Sequence, residues 1–199
     1  MVVYRHVIED IKQYQRGNLP QEAVRIDTPS DDEIQLKAAP IAAILCVLLS
    51  ATMFVKTFVN KGLVIVPWVV IVGCILGFVM LIVHEWLHAI VYPKDAIATI
   101  GRLKGKLTHV ALCSYPLSRG RFILMCLLPF VLGIIPLVIF IIAPARWKVC
   151  NGLMFGMACM GMVSPYVDVY NAILVLKNCK KTDKVMFYED EMYKIGEEK

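Results

Sequence analysis

The chain has 199 residues, 58% of them hydrophobic, with a mean hydropathy of +0.66 and a net charge of +5. That length leaves room for one domain, and that apolar content excludes an ordinary soluble globule. The positive charge does not point to nucleic acid, because its distribution along the chain follows a membrane pattern.

Four apolar segments stand out, at about 39–59, 63–92, 122–143 and 151–176, each long enough to cross a hydrocarbon core of roughly 30 Å. Lysine and arginine number five before the first segment, six between the second and third, and six after the fourth. Only Lys56, Lys61, Arg146 and Lys148 fall on the opposite side. Seventeen against four is a strong positive-inside bias, which predicts a cell-membrane protein with both termini and the 93–121 loop in the cytoplasm. No cleavable signal peptide is expected, since the first 38 residues are polar and carry seven acidic side chains. The predicted fold class is an all-α integral membrane protein of about four transmembrane helices with a short cytoplasmic β-hairpin-like loop. It divides into a cytoplasmic N-terminal segment (1–38), a four-span domain (39–178) and a cytoplasmic tail (179–199). The seven cysteines are odd in number and show no CxxC pairing, so they read as small core residues.

In chain order, Val3, Val7, Ile11 and Tyr14 recur at helical spacing and predict a short amphipathic helix that ends near Gly17. It is a solvated lead-in or a cover over the membrane surface. Ser30 and Glu33 fit a capping box that opens the first span. That span is a packing helix whose Lys56 can snorkel to the interface. The second span carries Gly73 and Gly77 in a GxxxG pattern, and eleven residues, almost three turns, separate each glycine from His84 and His88. The close-packing stripe and the histidine stripe are therefore expected on one face. In the 93–121 loop, two β-prone runs flank the basic turn Arg102-Leu103-Lys104-Gly105-Lys106 and predict a hairpin. Its edge could accept an extended peptide by strand addition. His109 reads as a loop histidine. Pro129 and Pro136 should kink the third span and free backbone carbonyls. In the fourth, Gly152, Gly156 and Gly161 lead to Asp168, with Ser164 and Asn171 on the same face. The tail reads as a disordered end.

The chemistry concentrates at His84-Glu85-Trp86-Leu87-His88. Histidines four apart stand above one another on a helix and can hold one zinc ion (Zn2+), with the intervening Glu85 as general base. Ionisable groups inside a span cost at least ~2.5 to 3.5 kcal/mol each, so they are functional by default. Glu85 is the only acid between Lys37 and Asp95, and Asp168 the only one between Arg121 and Lys177. Catalytic zinc takes three protein ligands and keeps a fourth position open, and Asp168 is the only intramembrane candidate for the third. His84 lies ten residues before Lys94 and Asp168 nine before Lys177. At a rise of ~1.5 Å per residue, both groups sit about 14 to 15 Å inside the cytoplasmic boundary, at one level.

His84-Glu85-Trp86-Leu87-His88 on one span, followed by Pro165-Tyr166-Val167-Asp168 on a later one, resembles the site-2 protease family of intramembrane zinc metalloproteases. Closer still is the resemblance to the small bacterial membrane proteins grouped under the name Putative zincin peptidase, over roughly residues 63–176. The resemblance implies His84, His88 and Asp168 as zinc ligands and Glu85 as base. Site-2 proteases usually follow the aspartate with glycines, where Val169 and Tyr170 stand here. Asn171 is a candidate to orient substrate or stabilise an oxyanion, although the motif does not extend to it. The expected function is a zinc-dependent intramembrane endopeptidase that hydrolyses membrane-anchored or juxtamembrane peptide. The alternative is a metal-binding membrane protein without proteolytic activity: a sensor, a carrier or a scaffold. The bilayer and a membrane-protein or peptide substrate are the implied partners; nucleic acid is not.

Overall fold

The structure is a computed structural model that describes residues 1–105 and 109–196. Lys106, Leu107 and Thr108 of the expected hairpin, and residues 197–199 of the expected tail, lie outside the described residues. Four helical stretches are long and apolar enough to cross a membrane: Glu33–Val59, Pro67–Val91, Arg119–Ile142 and Lys148–Asn178. The chain forms two compact units, one from residues 1–34, 82–128 and 168–199, the other from 35–81 and 129–167.

The second unit holds most of α1 (Asp31–Val59), α2 (Pro67–Val79), α5 (Val131–Ile142) and α6 (Lys148–Val163). In lipid there is little hydrophobic drive between helices, so close approach of backbones through small residues decides the packing. Helix α6 meets a neighbour on each side through glycine. A Cβ on Gly77 would stand 2.6 Å from Met160 Cβ, and one on Gly156 would strike the Val70 carbonyl and the Gly73 backbone. On the other side Gly161 backs onto Gly133 of α5. The GxxxG stripe of the second span thus packs on the glycine stripe of the fourth. The predicted span is interrupted at Met80, whose N–H bonds back to Leu76. Lys56, read from the sequence as free to snorkel, has protein partners for its ammonium. Its ammonium turns inward to the carbonyls of Phe140 and Ala143 (2.8 Å) and to Asn151 Oδ1 (2.9 Å), while the fully buried Asn151 donates to the Pro144 carbonyl at 3.0 Å. The last carbonyls of α5 have no helical donor, and a cation suits that end of the dipole.

The first unit corrects the all-α expectation, since it contains two sheets. One is β1 (Val2–Ile8), β3 (Ala98–Leu103) and β4 (His109–Leu112), in the order β1-β3-β4, with β1 parallel and β4 antiparallel to β3. The other is β2 (Val24–Arg25), β5 (Leu117–Ser118), β6 (Lys184–Tyr188) and β7 (Glu191–Ile195), in the order β2-β7-β6-β5. The expected hairpin is β3-β4, with Gly105 at φ +76° in its turn. The expected N-terminal amphipathic helix is instead strand β1 followed by a single 3-10 turn, Ile11–Tyr14. Val2, Val3, Val7 and Ile8 are β-branched, and pairing with β3 overrides a helical spacing that rests on four residues.

The tail is likewise ordered over 184–195, because alternate residues of β6 and β7 bury Val185 and Met192 in the core. That core joins the sheet to α3 (Leu81–Val91), α4 (Arg119–Leu127) and α7 (Tyr166–Asn178) through Val91, Phe122, Met125 and Val175. A second cluster joins α3 to the other sheet through Ala89, Ala98, Ile100 and Cys113. Burial pushes the Cys113 thiol up to about 12, which suits a small core residue and not a nucleophile.

Replacing Gly156 with Ala should destabilise the α2–α6 contact by roughly 1 to 3 kcal/mol, because the atoms it meets are backbone and cannot swing aside. Gly120→Ala, whose Cβ meets nothing within 4 Å, should leave the melting temperature in detergent unchanged or slightly raised.

Candidate metal centre

Helix α3 runs through an apolar stretch in which only His84, Glu85 and His88 are ionisable. Both histidines are buried, at 6% and 9% exposure, and their rings meet edge to face. Residue 168 lies in the first turn of α7, where the helix restarts after the Ser164-Pro165 break that ends α6. A carboxylate is favoured in that turn by the unpaired N–H groups and the positive end of the dipole.

These elements bring three donor atoms together. His84 Nε2 lies 3.0 Å from His88 Nε2, and Asp168 Oδ2 lies 3.3 Å and 3.5 Å from the two nitrogens. Among the described residues this is the one group of three His, Cys, Asp or Glu donors within metal-binding reach. Zinc bonds of about 2.0 to 2.2 Å at tetrahedral angles separate adjacent ligands by roughly 3.3 to 3.5 Å. The triangle therefore has the dimensions of one face of a zinc tetrahedron, a little tight along its histidine edge.

Proton positions agree with that fit. His88 Nδ1 is 2.9 Å from the Met125 carbonyl. A carbonyl only accepts, so Nδ1 carries the proton, and in the neutral form of the ring Nε2 is the nitrogen that presents its lone pair to the triangle. His84 Nδ1 is buried without a protein partner.

The remaining sequence candidates separate by position. The Glu85 carboxylate interacts electrostatically with both histidines and with Asp168, and it faces the backbone N–H of Ala111 in β4. It is adjacent to the three-donor group without joining it. Asn171 stands one turn beyond Asp168 on α7, half-buried and outside the group. His109 opens β4 opposite Arg102 and is also outside it.

Three features around the site had no direct sequence signal. The Met125 carbonyl and the Ala111 N–H are backbone groups. The third feature is a set of side chains on the last carbonyls of the two helices that carry the donors. Arg121 Nε donates to Val91 at the end of α3 (2.6 Å), while Arg119 and Lys194 donate to Leu176 and Asn178 at the end of α7 (3.2 and 3.1 Å). Charge counting assigned these residues only to a side of the membrane, whereas each also caps a helix.

Residues 77–183 match the model of a protein family described as Putative zincin peptidase. The match covers more than half of the chain and includes His84, Glu85, His88 and Asp168. No curated protein and no solved structure matches the chain.

Removing the cap on α3 should loosen the histidine helix from its end. Arg121→Ala is expected to cost roughly 1.5 to 3 kcal/mol, the usual range for a hydrogen bond to a charged group. Hydrogen exchange at Ala89 to Tyr92 should accelerate, and unchanged exchange there would remove Arg121 from this role.

Proposed function

The chain belongs to this family, whose description suggests a metallopeptidase, and on that premise we propose a zinc-dependent endopeptidase that works within or at the edge of the membrane. One observation carries the reading: two imidazole Nε2 atoms and a carboxylate oxygen, separated by the ligand spacing of tetrahedral zinc, beside a carboxylate that is not part of the triangle.

His84, His88 and Asp168 would hold the ion, leaving it a net positive charge and an open position. Bound there, zinc supplies a Lewis acid that lowers the pKa of a water and polarises a peptide carbonyl. Glu85 is the general base, taking a proton from the attacking water and returning it to the leaving amine. The Ala111 N–H lies on the side of the Glu85 carboxylate facing β4. Strand β4 forms one edge of its sheet among the described residues, and an extended peptide added there would lie beside Glu85. Asn171, one turn beyond Asp168 on α7, is the candidate to steady the substrate carbonyl. Substrates are membrane-anchored or juxtamembrane peptides, since the four apolar helices anchor the enzyme in a bilayer.

Metal analysis of purified protein should find about one zinc per chain. His84→Ala, His88→Ala and Asp168→Asn should each lower that occupancy, while Glu85→Gln should keep zinc and abolish cleavage. A Glu85→Gln variant that cleaves as well as wild type would remove the hydrolase reading. If wild type binds zinc but cleaves no membrane peptide, a metal-binding scaffold is the better account. Orientation has a separate test: reporters fused at either terminus should read cytoplasmic, following the lysine and arginine bias.

A further inference from the structure

Helical geometry assigns the carbonyl of residue i to the N–H of residue i+4. For Met125 that donor would be residue 129, which is proline and has no N–H. The tighter i+3 alternative is also taken elsewhere, because the Leu128 N–H bonds to Leu124. Met125 is therefore an acceptor that neither helical donor reaches, in an apolar segment where an unpaired carbonyl is costly. The group that reaches it is His88 Nδ1, at 2.9 Å and buried.

We propose that Pro129 is a positioning residue of the metal site: by withholding an N–H from Met125 it keeps that carbonyl open for His88 and thereby fixes the His88 tautomer. The inference rests on His88 as a zinc ligand and adds the reason its Nε2 is the bare nitrogen. Partners of a ligating histidine's second nitrogen set ring orientation and ligand basicity, and losing one commonly weakens metal binding about 10- to 100-fold. The chain repeats the arrangement. Pro144 lacks the N–H that would reach Phe140, and that carbonyl takes the Lys56 ammonium. Pro136, inside α5, has no such client at its own i−4 carbonyl, Leu132, among the described residues, which makes it a control for simple loss of a helix proline.

The test uses full-length protein in detergent. Pro129→Ala restores an N–H at 129 that competes for Met125, and Pro129→Gly restores it without stiffening the helix. Both should bind zinc about tenfold or more weakly in a chelator competition, while Pro136→Ala binds as wild type does. Two-bond nitrogen–proton NMR of histidine-labelled apo protein supplies a readout independent of zinc. Wild type should show His88, assigned by the signals lost in His88→Gln, protonated at Nδ1. Pro129→Ala should shift that signal toward a mixture of tautomers. Wild-type zinc affinity in both variants, or an Nε2-protonated His88 in the wild type, overturns the inference. Failure of wild type to bind zinc instead removes the metal reading on which it rests, while the NMR comparison still decides whether Pro129 sets the tautomer.

Discussion

In an apolar surround every helical carbonyl released by a break or an end must find a donor other than water, and this constraint organises the chain. Met125 is met by His88, Phe140 and Ala143 by Lys56, and Val91 by Arg121, while Arg119 and Lys194 serve the exposed carbonyls of Leu176 and Asn178. Four of these five donors are cationic side chains placed at helix C-termini, where charge and dipole agree. The fifth is a histidine at the candidate metal site. The same requirement that keeps the backbone satisfied therefore also orients His88 within the three-donor group.

Helix α3 shows how burial and chemistry are combined in the first unit. Its Val91 packs into the cluster shared with α4, α7 and the C-terminal sheet, while Ala89 packs into the cluster shared with the N-terminal sheet. A helix held on two sides has little freedom to rotate, so His84 and His88 keep one bearing. Asp168 comes from α7, whose Ala172 and Val175 lie in the first of those clusters. Histidines and carboxylate are thus placed by one contiguous core. That is what a site needs if its donors are to stand within tenths of an ångström of ligand spacing before any ion arrives.

The site was legible in the sequence because ionisable groups are scarce in the spans. One HExxH and one further acid leave few combinations, and helical rise alone put His84 and Asp168 at the same depth. The glycine stripes were legible for the same reason, small residues at a period of four. The sheets were not. Strand β1 has valines that fit a helical spacing as well as an extended one, and its parallel partner β3 lies nearly a hundred residues on, so no local pattern could decide. The β6-β7 hairpin was hidden by its turn. Glu189 and Asp190 both adopt positive φ, 48° and 72°, a geometry that usually signals itself through Asn-Gly. Here it is held from outside, by the buried Gln15, whose carbonyl and side-chain oxygen accept from the Glu189 and Asp190 N–H groups at 2.9 Å each. A turn stabilised by a residue 175 positions away leaves no trace in its own four residues.

The same distinction bears on Val169 and Tyr170, which stand where site-2 proteases carry glycines after the aspartate. Glycine there would serve a backbone that must bend beyond the ligand. In this chain the bend comes earlier: α6 ends at Val163, Ser164-Pro165 forms the turn, and α7 runs unbroken from Tyr166 through Val169 and Tyr170 to Asn178. Pro165 sits immediately before the first residue of α7, a place where its fixed φ suits the start of a helix. Residue 168 is then delivered by the first turn of a regular helix, where the positive end of the dipole favours a carboxylate. With the interruption on the N-terminal side of the aspartate, no bend is needed at Val169 or Tyr170. The turn at Ser164-Pro165 thus precedes the carboxylate, which stands 3.3 Å and 3.5 Å from the two imidazoles.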